Sequence, residues 1–353
     1  MLKLSSENKK FIKVILDGFF RIYFVKLFSK FKPKKYQAYN KYAIVSAIYN
    51  VEKYLDDFFK SIINQRLDFK RNIFIICVDD GSTDNSAQII KKYQKKYPKN
   101  IIYLHKENGG QASARNLGLK YLKENDLNTP WVTFTDPDDF LNRDYFYEVD
   151  KFLMKYKNDD ICMISCNIIF YYEKYHTYRD NHSLNYKYKN NNTLLENNNL
   201  NNFIQLSVAS CLLKISLIQD LFFDEKLKPN FEDAIFINEY LLQNIDKNSI
   251  FLKNARYFYR KRKEQNSTLD GKSKIKDYYT VVPKLGYLKL LQDIKGVIPT
   301  FIQNVVLYDL FWQIKVLINN PEKLIILNSN EKETFKKLLF FNFELIASEN
   351  IVS

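Results

Sequence analysis

The segment from Trp131 to Phe140 constrains the fold most, because a strand-like apolar run passes directly into a group of acids. β-branched and aromatic residues favour a buried strand, and Pro137 cannot donate to a ladder, so the strand must end there. Asp136, Asp138 and Asp139 then stand at its carboxyl end, the edge where open α/β sheets bind ligands. Carboxylates this close repel one another and are stable opposite a cation, for which Mg²⁺ or Mn²⁺ beside a diphosphate is fitting chemistry. The alternative is a polar turn that caps a helix.

Length and charge narrow the class of protein. The 353 residues are enough for one large domain or two ordinary ones, and the formal net charge is +14. Lysine, asparagine and isoleucine are all abundant, as an AT-rich coding bias would produce. The charge is therefore weak evidence for nucleic acid, and we expect no nucleic-acid partner. An anionic membrane surface or a phosphorylated substrate fits it as well.

The cysteines and histidines show no metal-binding pattern. Cys77, Cys162, Cys166 and Cys211 lie in or beside apolar runs without C-x-x-C spacing, so they are expected to be small buried residues. This use of cysteine predicts a reducing compartment and a cytoplasmic protein. The three histidines are scattered and form no ligand set.

Residues 1–40 form a basic extension ahead of the predicted sheet. Its apolar stretch from Phe11 to Phe31 is interrupted by charged residues, so it is a poor membrane span, and no signal peptide is evident. One interpretation is an amphipathic helix lying on an anionic membrane surface at the inner face of the cytoplasmic membrane. The other is a helix docked on the protein's own core.

Strand-like and helix-like segments alternate through the first half of the chain, which predicts an α/β layer with a mostly parallel sheet flanked by helices. The predicted strands are Tyr42–Ile48, Ile73–Val78, Ile101–Leu104 and the run from Trp131; the predicted helices are Glu52–Gln65, one ending near Tyr97, and Gln111–Glu124. Polar residues follow each strand. Because the carboxyl ends of parallel strands meet at one edge, these residues are expected to converge on one crevice.

The second half alternates less regularly. We predict a helix over 142–157, strands at Ile161–Phe170, Val208–Leu213 and Ile250–Tyr259, and a helix at Glu232–Leu242. Residues 171–202 are polar and rich in asparagine, and are expected to be loop or weakly ordered. From Ile275 onward the pattern is helical, and 301–318 is its clearest element.

Five motifs occur in order along this framework. They are V-S-A-I-Y-N-V-E-K-Y-L at 45–55, V-D-D-G-S-T-D-N-S at 78–86, N-G-G-Q-A-S-A-R-N-L-G at 108–118, D-P-D-D at 136–139 and F-E-D at 231–233. Together they resemble the family 2 glycosyltransferases, which have the GT-A fold, and especially bacterial enzymes that build capsular or surface polysaccharide. The resemblance covers about residues 42–268. It implies a glycosyltransferase domain over 41–270, with a nucleotide-sugar half at 41–142 and an acceptor half at 143–270, followed by a helical region at 271–353.

The resemblance implies an inverting, metal-dependent transfer of a sugar from a nucleotide-diphosphate donor, expected to be UDP-linked, to a hydroxyl group of a glycan or lipid-linked glycan. Asp80 would read the base, with Ala47 and Tyr49 beside it and Tyr49 stacking on the ring. Arg115 would face the diphosphate, and Asp138 the ribose.

Asp139, with Asp138 beside it, would hold Mn²⁺ or Mg²⁺, and the cation would neutralise the departing diphosphate. Asp233 matches the family's general base, which must lie within hydrogen-bond reach of the acceptor hydroxyl. The residues expected only to support these are Asp79, Asp136 and Glu232. The segment containing Tyr259, Arg260, Arg262 and Ser267 resembles a loop that closes over the diphosphate.

Three other classes of protein are weighed against this interpretation. A nucleotide-sugar binding module without catalysis would keep Asp80 and Asp139 but would lack a base such as Asp233. A dinucleotide-dependent dehydrogenase needs a G-x-G-x-x-G turn after the first strand, and residues 49–52 contain no glycine. A metal-dependent nuclease needs a basic groove beside the acids, whereas the basic residues here are scattered.

Overall fold

The computed structural model describes residues 35–156, 160–264 and 271–346, apart from the side chain of Asn319. The chain divides into two compact units, residues 1–36 and residues 37–353. The predicted N-terminal helix at 11–31 and the loop residue Ser267 both lie outside the described residues. The architecture below belongs to the second unit.

A ten-stranded sheet forms the centre of the described part. Its strands are β1 (Tyr42–Ile48), β2 (Ile73–Asp79), β3 (Ile101–His105), β4 (Trp131–Thr133), β5 (Phe140–Leu141), β6 (Ile161–Tyr172), β7 (Thr177–Arg179), β8 (Thr193–Glu196), β9 (Cys211–Lys214) and β10 (Asn248–Lys261). They run in the order β3-β2-β1-β4-β9-β6-β10-β5, with β7 paired to β6 and β8 paired to β10.

The N-terminal part of the sheet is parallel and confirms the predicted α/β layer. β3, β2, β1 and β4 all run in the same direction, so their carboxyl ends share one edge. Beyond β4 the sheet becomes mixed, because β9 is antiparallel to both β4 and β6 and β5 is antiparallel to β10. The short β5 follows the D-P-D-D turn directly, so this turn is held between β4 and β10.

Helices flank the sheet. Those in the described residues are α1 (Glu52–Ile63), α2 (Phe69–Asn72), α3 (Ser86–Lys96), α4 (Gln111–Glu124), α5 (Tyr145–Tyr156), α6 (Glu232–Gln243), α7 (Asp277–Val281), α8 (Lys289–Gln292), α9 (Thr300–Asn319) and α10 (Ser329–Glu344), with a π-helical segment at Val282–Leu288. The apolar side of α1 is buried at the helical spacing read from the sequence.

Helix α4 lies very close to the sheet at Gly118. A Cβ at this position would lie 2.4 Å from Cγ1 of Val45 in β1 and 3.3 Å from Cγ2 of Val78 in β2. Since carbon atoms cannot approach that closely, only glycine allows the helix this contact. The close approach seats the first turns of α4, and the loop before them, over the carboxyl ends of β1 and β2.

The C-terminal helices share the main core with the sheet. Val282, Tyr287 and Phe301 belong to the same buried cluster as Val45 and Phe134. Residues 37–353 accordingly form one compact unit. The main core therefore extends across the predicted boundary at residue 270, and a second, smaller buried cluster of Tyr278, Tyr279, Leu327 and Phe335 lies beyond it.

Two expectations for the second half need correction. Residues 171–202 contain β7, β8 and short 3₁₀ turns rather than only loop, because Leu184, Tyr188 and Leu200 are buried in the main core. The strand predicted from Val208 starts later: Val208–Ser210 is a 3₁₀ turn, and β9 follows it. The four cysteines are buried and unpaired, as expected.

In the described part, α9 has a segment at Thr300–Ile318 that is long and apolar enough to cross a membrane. About 44% of it is buried inside the protein. Phe301, Ile302 and Val305 are fully enclosed by the core. One side of the helix is therefore apolar because it packs inside the protein. The length and composition of the segment are thus weak evidence that it spans a membrane.

Candidate active site

The loops after β1 and β2 are tied together by hydrogen bonds. Asn50 adopts a left-handed backbone (φ 49°), and its Oδ1 accepts from the N–H of Thr83 at 2.8 Å. Its own N–H donates to Oγ of Ser82 at 3.2 Å. These bonds hold the carboxyl ends of both strands at one edge, as predicted from the order of the strand ends.

Asp79 is buried beneath these loops. Its carboxylate accepts from the N–H of Ser82 at 2.9 Å and from the hydroxyl of Tyr103 at 2.8 Å. Burial would raise the pKa of Asp79, but the hydrogen bonds from Ser82 and Tyr103 outweigh it and lower the pKa. Asp79 thus stabilises the turn after β2.

Asp80 holds the glycine loop. Its carboxylate accepts from the N–H groups of Gly109 and Gly110, at 3.0 and 2.8 Å, and from Nζ of Lys106 at 2.8 Å. Gly110 has φ 94°, a conformation that glycine adopts without strain. Because a carboxylate offers about four lone-pair sites, one more donor could still bind. Base reading by Asp80 stays a prediction.

Tyr49 stands at the end of β1 with 49% of its surface exposed. Ala47, two residues earlier, is half-buried in the strand. An exposed aromatic ring beside the Asp80 loop is the geometry that stacking on a base would need. The stacking role assigned to Tyr49 stays a prediction.

Asp139 lies inside the D-P-D-D turn, and its role as a metal ligand stays a prediction. It is 2% exposed, and its two oxygens accept from the hydroxyl of Tyr257 at 2.6 Å and from the N–H of Arg260 at 2.7 Å. Burial, and then the charges of Asp138 and Asp136, raise the pKa of Asp139 well above its usual range. Both oxygens of Asp139 therefore bind residues of β10 and fasten the turn to that strand.

Asp136 and Asp138 are the acids of the turn that remain partly exposed, at 26% and 18% of their side chains. Asp138 uses one oxygen, Oδ2, to accept two hydrogen bonds from Arg262, at 2.9 and 2.7 Å. Asp136 likewise uses Oδ1, which accepts from Gln111 at 2.8 Å and from Arg115 at 2.9 Å. Partial burial, opposed by Arg115, raises the pKa of Asp136 to about 6.

Arg115 lies between the D-P-D-D turn and the F-E-D motif. Its side chain is 2% exposed, and its role of facing the diphosphate stays a prediction. One guanidinium nitrogen contacts Asp136, and the other forms a short ion pair with Asp233 and lies 3.9 Å from Glu232. Burial opposes its charge, yet Asp233, Asp136 and Glu232 together raise the pKa of Arg115. Arg115 therefore joins the D-P-D-D turn to the F-E-D motif.

Asp233 begins α6 and lies at the side of this cluster. Beyond Arg115, it accepts from the N–H of Val208 at 3.3 Å, and 20% of its side chain is exposed. Burial and then the charge of Asp233 raise the pKa of the neighbouring Glu232 to about 8. Asp233 is the acid of this pair that two donors hold.

The residue before this pair, Phe231, has a left-handed backbone with φ 82°. This conformation is unfavourable for a bulky side chain and needs support from its surroundings. The Phe231 ring is buried and packs edge-on against Tyr287, with centroids 4.8 Å apart. Gly286 leaves room for it, since a Cβ there would lie 2.9 Å from the ring. The F-E-D motif is therefore held by the C-terminal region.

Arg260 was predicted to face the diphosphate, and that role stays a prediction. It is 4% exposed, and its side chain donates to the carbonyl of Asp138 at 2.7 Å and to Asp57 at 3.0 Å. It supports the turn from behind. Arg262 is the arginine of this segment that reaches the partly exposed Asp138.

Sequence reasoning missed three residues that shape the site, namely Tyr257, Gln111 and Lys106. Tyr257 accepts from the N–H of Asp136 at 3.3 Å and donates to Asp139, so it connects both ends of the turn. An aromatic residue in a strand normally indicates core, so nothing marked it. Gln111 and Lys106 flank the glycine loop, and that position was the available signal.

The described residues alone offer a divalent cation few ligands, so a cation here would have to be held together with the phosphates of a bound ligand. Among the described residues, no group of three His, Cys, Asp or Glu side chains is arranged to hold a metal. Mg²⁺, however, is usually held by one or two carboxylates together with substrate phosphates. Oδ1 of Asp138 accepts no hydrogen bond within the described ranges, so it is the available protein ligand.

The chain is similar in sequence and in structure to known proteins. The model of "Glycosyl transferase family 2" matches residues 43–222. The minor teichoic acid biosynthesis protein GgaB of Bacillus subtilis (strain 168) is 33% identical over 302 residues, which cover 84% of this chain and 31% of that protein. GgaA of the same strain is 33% identical over 255 residues, covering 71% of this chain and 54% of that protein. The chain thus spans between about a third and a half of the length of these curated relatives.

TarS of Staphylococcus aureus is similar in both sequence and structure. It is named poly(ribitol-phosphate) beta-N-acetylglucosaminyltransferase and is 31% identical over 120 residues, 34% of this chain and 20% of that protein. Its crystal structure in complex with UDP-GlcNAc superposes with a TM-score of 0.64 and 20% identity, over 88% of this chain and 82% of that one. The likeness confirms the predicted GT-A fold.

Proposed function

The chain belongs to glycosyltransferase family 2, and we propose that it transfers a sugar, with inversion, from a UDP-linked donor to a hydroxyl group of a surface glycan of the teichoic acid type. The names of GgaB and TarS support this acceptor class over capsular polysaccharide, and UDP-GlcNAc bound to TarS supports the uridine donor. An acceptor of this class contains phosphate groups, which also suits the strongly basic chain.

One observation supports the proposal above the others. A single buried guanidinium, that of Arg115, contacts Asp136 of the D-P-D-D turn with one nitrogen and Asp233 of the F-E-D motif with the other. The candidate donor site and the candidate base are therefore within the width of one arginine side chain. A direct displacement needs this closeness, because the base and the leaving group must lie on opposite sides of one sugar carbon.

In the proposed reaction, Asp233 accepts the proton of the acceptor hydroxyl while the hydroxyl oxygen forms a bond to the anomeric carbon of the donor sugar. The bond between that carbon and the diphosphate oxygen breaks, and its electron pair leaves with UDP. Arg115 orients Asp233, and Glu232 stays protonated nearby because its pKa is about 8. A divalent cation held by Asp138 would supply positive charge to the leaving diphosphate. Arg262, which now pairs with Asp138, is positioned to contribute charge at the same place.

The experiment is transfer to a phosphate-containing glycan, measured as UDP release from UDP-GlcNAc and other UDP-sugars with Mn²⁺ or Mg²⁺. Asp233→Asn keeps the shape and removes the basicity, so turnover should fall by on the order of 10² with donor affinity within a few-fold. Asp246→Asn is the matched control, because that side chain is 71% exposed and pairs only with Lys247 among the described residues. Near-parent turnover of Asp233→Asn would exclude this residue as the base. Donor binding without any transfer or hydrolysis in the parent protein would favour a binding module.

A further inference from the structure

A partly open cavity of about 80 Å³ lies beside the acceptor half of the sheet. Four parts of the chain line it: Ile168 of β6, residues 182–188, residues 205–210 and Tyr308 of α9. A single water needs roughly 10–15 Å³ by this measure, so the cavity has room for a tetrahedral oxyanion. None of its lining residues is acidic.

Lys187 places a buried amino group against this cavity. It is 5% exposed, and its Nζ donates to the carbonyl of Ile204 at 2.5 Å and to Oε1 of Gln205 at 3.2 Å. An ammonium has three donors, so one is left. Within the described ranges no carboxylate pairs with it, and burial lowers the pKa of Lys187 to about 7. Burying a charge without a counter-ion costs several kcal/mol, which a bound anion would offset.

Other donors surround the same space. The N–H of Leu184 donates to Nδ1 of His182 at 3.1 Å, so the neutral ring carries its proton on Nε2. Burial, followed by the charges of Lys187 and Lys261, lowers the pKa of His182 to about 4, so the ring is neutral at pH 7. The hydroxyl of Ser207 also lines the cavity. An ammonium, an imidazole N–H and a hydroxyl are the groups that bind phosphate oxygens.

The cavity shares a wall with the candidate base. Ser207 lines the cavity, and the next residue, Val208, donates its N–H to Oδ2 of Asp233 at 3.3 Å. Asn238 of α6, the helix that Asp233 begins, donates to the carbonyl of Gln205 at 3.0 Å. Consecutive Cα atoms are 3.8 Å apart, so a ligand at Ser207 is on the order of one acceptor unit from Asp233.

We propose that this cavity binds a phosphate group of the acceptor, next to the unit whose hydroxyl is presented to Asp233. The inference rests on the proposed function and adds to it a specific anion subsite. The phosphate supplies the acceptor that the third donor of Lys187 lacks, and it fixes which hydroxyl of the chain reaches the base. Binding at this subsite does not involve the donor, so it can be measured without transfer.

The test compares Lys187→Met with Lys189→Met. Methionine has a similar length and no charge, and Lys189 is exposed two residues away and does not line the cavity. With a poly(ribitol phosphate) or poly(glycerol phosphate) fragment as acceptor, Lys187→Met should raise KM at least 10-fold and leave kcat and donor hydrolysis within a few-fold. Lys189→Met should change none of these. Calorimetry with glycerol phosphate, in the absence of donor, should show binding to the parent protein and to Lys189→Met only.

The outcomes separate the subsite from the function. Equal KM and equal glycerol phosphate affinity in parent and Lys187→Met would overturn the subsite even if transfer is observed. A second outcome would also overturn the subsite. If inorganic phosphate binds only when Lys187 is present, but the KM for the acceptor is the same without Lys187, the cavity is a site for free phosphate. If transfer is absent but glycerol phosphate binding needs Lys187, the subsite stands and the proposed function fails. Should Lys187→Met not fold, Ser207→Leu fills the cavity from another wall and carries the same expectation.

Discussion

We expect removal of Asp139 to lower the stability of the protein, and removal of the neighbouring Asp138 to weaken its response to Mn²⁺. Asp139→Ala leaves the hydroxyl of Tyr257 and the N–H of Arg260 buried without an acceptor. Each such loss costs about 1–3 kcal/mol, so the free energy of unfolding should fall by roughly 2–6 kcal/mol. Asp139→Ala also removes the cost of burying the carboxyl group, whose pKa is raised. The loss in free energy of unfolding should therefore lie toward the lower end of this range. Asp138→Ala removes only a partly exposed ion pair, worth about 0–1 kcal/mol.

The assay is thermal unfolding with UDP, in the presence and absence of Mn²⁺. Since 1 kcal/mol shifts the melting temperature by roughly 2–4 °C in domains of 150–250 residues, and less in larger ones, Asp139→Ala should lower it by on the order of 5 °C. Asp138→Ala should melt within about 2 °C of the parent protein but lose the additional stabilisation that Mn²⁺ gives to UDP binding.

Asp139→Asn provides the sharpest discrimination. Its oxygen can still accept from the N–H of Arg260, and its amide can donate to the hydroxyl of Tyr257, so both contacts survive without a carboxylate. We expect parental stability and a parental response to Mn²⁺. A folded Asp139→Asn protein of normal melting temperature that no longer responds to Mn²⁺ would refute the structural role and restore Asp139 as the metal ligand.

Further predictions concern the donor, the fold, pH and the membrane. UDP should compete better than CDP or GDP for the donor site, and Tyr49→Ala should weaken UDP binding; a clear preference for GDP in a competition assay would contradict this. Gly118→Ala should destabilise the protein by about 1–3 kcal/mol in chemical denaturation, because its Cβ would collide with Val45, and an unchanged midpoint would disprove the close contact. Because the folded pKa of Lys187 is about 7, below its unfolded value of 10.5, the unfolded state binds more protons between these values, and stability from this group rises with pH over that window. The free energy of unfolding of Lys187→Met, measured by urea denaturation, should therefore exceed that of the parent most at or below pH 7. This difference should disappear towards pH 10.5. Deletion of residues 1–35 should reduce binding to anionic liposomes and spare donor hydrolysis, whereas unfolding of the deletion variant would support a docked helix.

The sequence was sufficient for the elements and for the edge at which the site forms. Helix α4 has the predicted bounds, Gln111–Glu124, and β1 has its predicted bounds, because hydrophobic periodicity and caps act locally. The convergence of Tyr49 and Asp80 at one edge follows from parallel strands. These are properties of short segments and of sheet direction, and they need no knowledge of side-chain packing.

The sequence could not show those side-chain directions that depend on distant parts of the chain. In an irregular turn, the acid that points inward is decided by Tyr257, which is 118 residues from Asp139 in sequence. Arg115 was expected to face the nucleotide, but three acids from two other motifs surround it. Composition misled in residues 171–202, where an asparagine-rich background obscured a few core residues such as Tyr188.

The strained backbone at Phe231 has a consequence for how this chain can be divided or recombined. The family match ends at residue 222, before the F-E-D motif, and the residues that hold Phe231 lie later still, at Gly286 and Tyr287. A left-handed bulky residue costs on the order of 1–3 kcal/mol, and a fragment cut near residue 270 would keep that cost and lose the packing that sustains it. Such a fragment would retain Asp233 but not its orientation. The smallest exchangeable module therefore extends at least through Tyr287, and chimaeras that exchange the F-E-D motif should carry this part of the C-terminal region with it.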